Sequence, residues 1–149
     1  MKKIIKITAL CLTLTLCLFA VACSSYGKLE KAFLDKGYQV SQGVEDLASD
    51  IETELEQEEL TIEIHALKKS SGLTSDVVLV IEFKSTKEMV EACKESDTLK
   101  GIVSDISSDD SVKEAYDTLV AGGFANGNCI VFSINPLNRS EVCEIVKNA

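Results

Sequence analysis

His65 is the only histidine in the chain of 149 residues. Glu63 stands two positions before it, in a segment (60–68) where apolar and polar residues alternate. On a β-strand, residues two apart share a face, so this carboxylate and this imidazole can meet. A metal centre needs three or four ligands, and only these two are legible at strand spacing, so no metal is expected. The plainer reading is a solvent-facing pair. As a general base, His65 would need a nucleophile and an orienting acid. Cys129 opens a later apolar segment (129–134), and on a neighbouring strand it would allow a Cys–His pair. Glu63, His65 and Cys129 are therefore the candidate site. No nucleophile elbow or other catalytic motif surrounds them, so no catalytic residue is assigned and no enzymatic activity is expected.

The other sulfur chemistry is at Cys23, Cys93 and Cys143, with Cys11 and Cys17 near the start. Beyond Cys23 three cysteines remain, an odd number that excludes a complete disulfide framework. Cys93, Cys129 and Cys143 each sit among apolar neighbours, as buried thiols packing like small hydrophobes do. One disulfide among the three is the alternative. No basic residue flanks Cys129 to lower its pKa.

Cys23 closes a distinctive stretch. Lys2, Lys3 and Lys6 give a basic start, and residues 7–22 carry no charge. The run is near the length of a short membrane span, which allows a retained anchor. The basic-then-apolar order, ending in small residues, favours a secretory signal. Ala20-Val21-Ala22-Cys23 resembles the lipobox of bacterial lipoproteins, with Ala20 where leucine is commoner. The resemblance implies a signal peptide at 1–22, cleavage between Ala22 and Cys23, and a diacylglyceryl group on the Cys23 sulfur. Two acyl chains suffice for stable anchoring, at roughly 0.8 kcal/mol per buried methylene. Apart from this covalent lipid, no cofactor is expected.

Removal of 1–22 leaves 127 of the 149 residues, one domain's worth of chain. Residues 23–27 read as a lipidated tether and 28–149 as a single domain. Three of the 15 basic residues and no acidic one lie in 1–22, so the remainder sets 12 basic residues against 24 acidic ones, a net charge of −12. Such a surface repels nucleic acid and anionic headgroups. The expected contact with the membrane is through the lipid alone.

Helical spacing and capping residues place a helix over 28–36, another from Ser41 to about residue 59, and others after Ser85 and Ser111. A break near Ser96 divides the third. A final helix follows Asn138. Residues 38–40, 60–68, 77–84 and 129–134 read as strands, with 60–68 and 77–84 forming a hairpin across a loop at 69–75. The expected class is α+β. It has a four-stranded, mostly antiparallel sheet with ferredoxin-like β-α-β-β-α-β order, plus N- and C-terminal helices. One face would pack Leu60, Ile62, Ile64, Val77, Leu79 and Ile81 under the middle helices. The other would show Val78, Val80 and Val131, which the terminal helices are available to cover.

Three further stretches read as structural. The acidic run 52–59 is a solvated helix face, with a basic partner or a loosely held cation as alternatives. Residues 107–111 lack the glycine and terminal glutamate of an EF-hand and read as a capping loop. Residues 122–127 leave a helix where a phosphate loop would enter one.

The domain is similar in length and element order to small lipoproteins of Gram-positive bacteria. That resemblance implies display on the extracytoplasmic face of the cell membrane. The expected function is a binding or interaction module there, with another envelope protein as a permitted partner. An envelope structural or assembly factor is the alternative, and a thiol-dependent enzyme using Cys129 or His65 a third.

Overall fold

The computed structural model describes residues 24–41, 53, 60–71, 74–103 and 106–149. The leader, Cys23 and nearly all of the expected helix at 41–59, with its acidic run, lie outside the described residues. No helix among the described residues is long and apolar enough to cross a membrane.

The chain enters at helix α1 (Ser25–Asp35), three residues earlier than the spacing predicts. The Ser24 hydroxyl accepts the Gly27 N–H at 3.0 Å and satisfies one orphan donor of the first turn. Residues 24–27, read as tether, are thus the cap and first turn of α1. Leu29 and Phe33, four apart, share the buried stripe of the helix.

Five strands make one sheet: β1 (Gln39–Val40), β2 (Ile62–Ser71), β3 (Thr74–Phe83), β4 (Ala125–Asn126) and β5 (Cys129–Ser133). Their order is β1-β2-β3-β5-β4, and every neighbouring pair is antiparallel. The α+β class and the antiparallel sheet agree with expectation, while the ferredoxin-like arrangement does not. That arrangement sets its first and third strands side by side and parallel, whereas here β1 lies at an edge and, among the described residues, pairs only with β2. The order of elements along the chain is compatible with both.

The β2–β3 hairpin is longer than expected. Its ladder runs from Ile62↔Phe83 to Ser71↔Thr74, so most of the loop expected at 69–75 is strand. Side chains on this distal part have partners that hold the ladder. Asp76, only 4% exposed, accepts hydrogen bonds from the Tyr38 hydroxyl and from Ser133 Oγ at 3.2 Å. The Lys69 ammonium lies 5.3 Å from the Tyr38 ring centroid and 2.8 Å from Glu141.

Helices α2 (Thr86–Glu95), α3 (Asp97–Ile102), α4 (Val112–Gly122) and α5 (Arg139–Asn148) follow among the described residues. Ser85 and Ser111 cap α2 and α4 as their positions predict, and Ser96, expected only as a break, caps α3. At Ser111 the box closes, because the Glu114 carboxylate accepts the Ser111 N–H at 3.1 Å. Asn138 does not cap α5 with its side chain. Asn135 instead caps a short 3-10 turn at Pro136–Asn138. Gly123 ends α4 with φ +76, and a Cβ there would lie 2.6 Å from the Cys143 carbonyl oxygen. Only glycine fits between these two segments.

Each sheet face has its own core. Ile81, Phe83 and Ile130 pack with Met89, Val90, Cys93, Leu99, Ala115 and Leu119 from the middle helices. Val78, Val80 and Val131 pack on the other face, against Leu29 and Phe33 of α1 and Val142, Ile145 and Val146 of α5. The terminal helices therefore cover the three valines. Each such side chain contributes roughly 1.5–3 kcal/mol when fully removed from water.

Candidate functional site

The register of the sheet builds the site. Glu63 on β2 stands opposite Glu82 on β3, and Glu82 stands opposite Cys129 on β5. The next row on the same face is His65, Val80 and Val131. The two carboxylates and the imidazole therefore share the face that α1 and α5 cover.

The first turn of α1 ends over this corner. Tyr26 lies flat on His65, with ring centroids 3.6 Å apart and planes 14° from parallel. His65 Nε2 is 3.4 Å from Glu82 Oε2 and 4.0 Å from Glu63 Oε2. One donor atom from each of the three residues lies within 4.8 Å of the other two. The His65 and Glu82 side chains are mostly buried, and Glu63 is 78% exposed. A groove of about 640 Å³ opens here, lined by Ser24, Tyr26, Glu63, His65 and Glu82 among others. The Tyr26 hydroxyl is pushed up to about 12, mainly by burial and then by the charges of Glu30 and Glu82. It therefore stays a neutral donor across the physiological range.

The turn between β4 and β5 holds α1 in place. Gly127, at φ +59, approaches so closely that a Cβ there would sit 1.9 Å from Ser25 Oγ and 2.6 Å from Ser25 Cβ. The expected tight turn at Asn126-Gly127-Asn128 is present, and it docks the residue beside Tyr26.

Two of the three expected site residues come together, and the third does not join them. Glu63 and His65 meet as strand spacing predicts. Cys129 is two strands from His65, with β3 between them, a separation of roughly 10 Å. It is fully buried, and its thiol is pushed up to about 12 by burial and then by Glu82. A buried, protonated thiol that far from the imidazole forms no Cys–His nucleophile pair. Cys93 lies in the core of the opposite face, where burial pushes it up to about 12. Cys93, Cys129 and Cys143 are all free thiols, and the single disulfide is not formed.

Sequence reasoning missed Tyr26 and Glu82. Tyr26 stood in the presumed tether. In the run 77–83 Glu82 was the single charged residue, a signal that gains meaning only once the register puts it opposite Glu63. The stretch 107–111 forms the expected capping loop. Asp110 Oδ2 accepts the Ser107 N–H at 3.0 Å and Ser107 Oγ accepts the Asp109 N–H at 3.2 Å, closing the capping loop.

The arrangement presents two carboxylate oxygens and one imidazole nitrogen to a groove capped by an aromatic ring, a set suited to a cationic ligand. No protein-family model, curated protein or solved structure matches the chain.

Proposed function

We propose that this chain is a lipoprotein tethered to the extracytoplasmic face of the cell membrane, acting there as a binding module through the groove under Tyr26. The observation that carries the reading is the place of Ser24. It follows Cys23 directly, caps α1 and lines the groove. With Cys23 acylated, the groove opens within about one residue's reach, ~3.5 Å, of the lipid-bearing residue. The basic start, the uncharged run and Ala20-Val21-Ala22-Cys23 support acylation at that sulfur. The net charge of −12 beyond the leader keeps the domain off anionic headgroups and favours cationic ligands.

The test is intact-mass analysis of the protein from a bacterial membrane, paired with fractionation of a Cys23→Ala variant. The expected result is an N-terminal Cys23 bearing a diacylglyceryl mass, and release of the variant from the membrane. A retained Met1 without a lipid adduct would overturn the reading.

A further inference from the structure

We infer that Glu63, His65 and Glu82 bind a divalent transition-metal cation of the zinc class. The inference names the ligand of the groove and so rests on the binding-module reading. Three observations carry it.

The first is spacing. Zinc takes nitrogen and oxygen donors at about 2.0–2.2 Å in tetrahedral geometry, which sets donor atoms roughly 3.3–3.6 Å from one another. His65 Nε2 lies 3.4 Å from Glu82 Oε2 and 4.0 Å from Glu63 Oε2, with all three atoms inside 4.8 Å. The His65–Glu82 hydrogen bond, at 3.4 Å, is longer than the usual range of about 2.7–3.2 Å. Glu63 is exposed and needs only a side-chain adjustment to complete the set.

The second is charge. Two carboxylates converge on one ring nitrogen in a domain that already carries a large negative charge. A single imidazole proton offsets one of them, whereas a dication offsets both.

The third is preorganisation. Glu63 and Glu82 are cross-strand partners, and His65 follows Glu63 by two residues, so the ladder positions all three donors. The Tyr26 stack fixes the imidazole plane with Nε2 towards the carboxylates. One imidazole and two carboxylates suit zinc better than calcium or magnesium, which prefer all-oxygen shells. The groove leaves room for a water or a partner's donor as the fourth ligand.

The experiment is equilibrium dialysis of the full chain in detergent against zinc chloride at neutral pH, with NMR of the imidazole. His65 is the only histidine, so its signals report on one site. The expected result is one zinc per chain with the His65 resonances shifted, and at least about tenfold weaker binding in Glu82→Gln and His65→Gln. Glu82→Gln keeps side-chain volume, and near-UV circular dichroism verifies its fold. No zinc uptake, unmoved His65 signals, or equal zinc affinity in a folded Glu82→Gln would overturn the inference. Zinc bound by adventitious thiols alone falls in the second and third of these outcomes. The tether is scored separately by the lipid mass on Cys23, so a failed metal site and a failed lipoprotein reading are told apart.

Discussion

The Tyr26 ring covers the His65 imidazole face to face at 3.6 Å, joining the first turn of α1 to the second strand of the sheet. The contact couples the start of the domain to the groove. Stacked aromatic pairs contribute about 0.5–1.5 kcal/mol beyond their buried area. Tyr26→Ala should therefore lower stability by roughly 1–3 kcal/mol in urea unfolding. The His65 ring-proton resonances should also move downfield as the shielding ring is lost. Tyr26→Phe should retain both properties. Unmoved His65 signals in Tyr26→Ala would show that the rings do not stack in solution.

Gly127 offers a way to disturb the same corner without touching the groove. Its hypothetical Cβ collides with Ser25, whose own Cβ cannot swing aside as a long side chain would. Gly127→Ala should cost roughly 1–3 kcal/mol, combining the left-handed backbone with the clash. It should also shift the His65 resonances towards their position in Tyr26→Ala. A Gly127→Ala protein with wild-type melting and unchanged His65 signals would contradict this packing.

Asp76 is a buried acid that depends on neighbours from distant parts of the chain. It accepts hydrogen bonds from Tyr38 and Ser133. Burial, then the hydrogen bond to Asp76, holds the Tyr38 hydroxyl above its ordinary pKa. Hydrogen bonds to charged groups contribute about 1.5–3 kcal/mol, and leaving one buried partner unsatisfied costs at least as much. Tyr38→Phe should therefore destabilise by about 1.5–3 kcal/mol. The double variant Tyr38→Phe/Asp76→Ala should cost less than the sum of the two single changes. Strict additivity in that cycle would rule out the bond.

The buried thiols make an alkaline prediction. In the folded state Cys93 holds its proton up to about 12, against 9.0 for the free group. The folded state thus binds that proton more tightly than the unfolded state does. The resulting stability is complete below about pH 9 and is lost as pH rises towards 12, at about 1.4 kcal/mol per unit. Urea unfolding should show stability falling above pH 9, and less steeply in Cys93→Ala. A flat profile up to pH 11 would contradict the burial.

The same burial orders thiol reactivity at neutral pH. Cys143 is half-buried, whereas Cys93 and Cys129 are fully enclosed. A thiol reagent should label Cys143 first, and the other two only at the rate of unfolding. Equal labelling of all three in the native protein would contradict the fold.

Local patterns were legible because their causes are local. The serine caps at Ser85 and Ser111 serve N–H groups three residues away. Alternation in 60–68 set which side chains of β2 share a face, and it paired Glu63 with His65. The apolar character of Val78, Val80 and Val131 already demanded a cover, and the terminal helices were the elements left to provide it. Sheet order was not legible, because β3 and β5 pair antiparallel across some fifty residues of chain, beyond the reach of any local pattern. Tyr38, Asp76 and Ser133 show no motif, yet together they satisfy one buried charge. Glu82 and Tyr26 carry no local mark of partnership either. Register places Glu82 beside Glu63, and the approach of Gly127 to Ser25 sets Tyr26 over His65. Residue spacing along a strand acts over a few ångströms of chain, so sequence alone determined the Glu63–His65 pair. The second carboxylate, Glu82, comes within reach only through the register of the β2–β3 hairpin, and the aromatic cap comes from α1, which only the packing of the whole domain lays over β2.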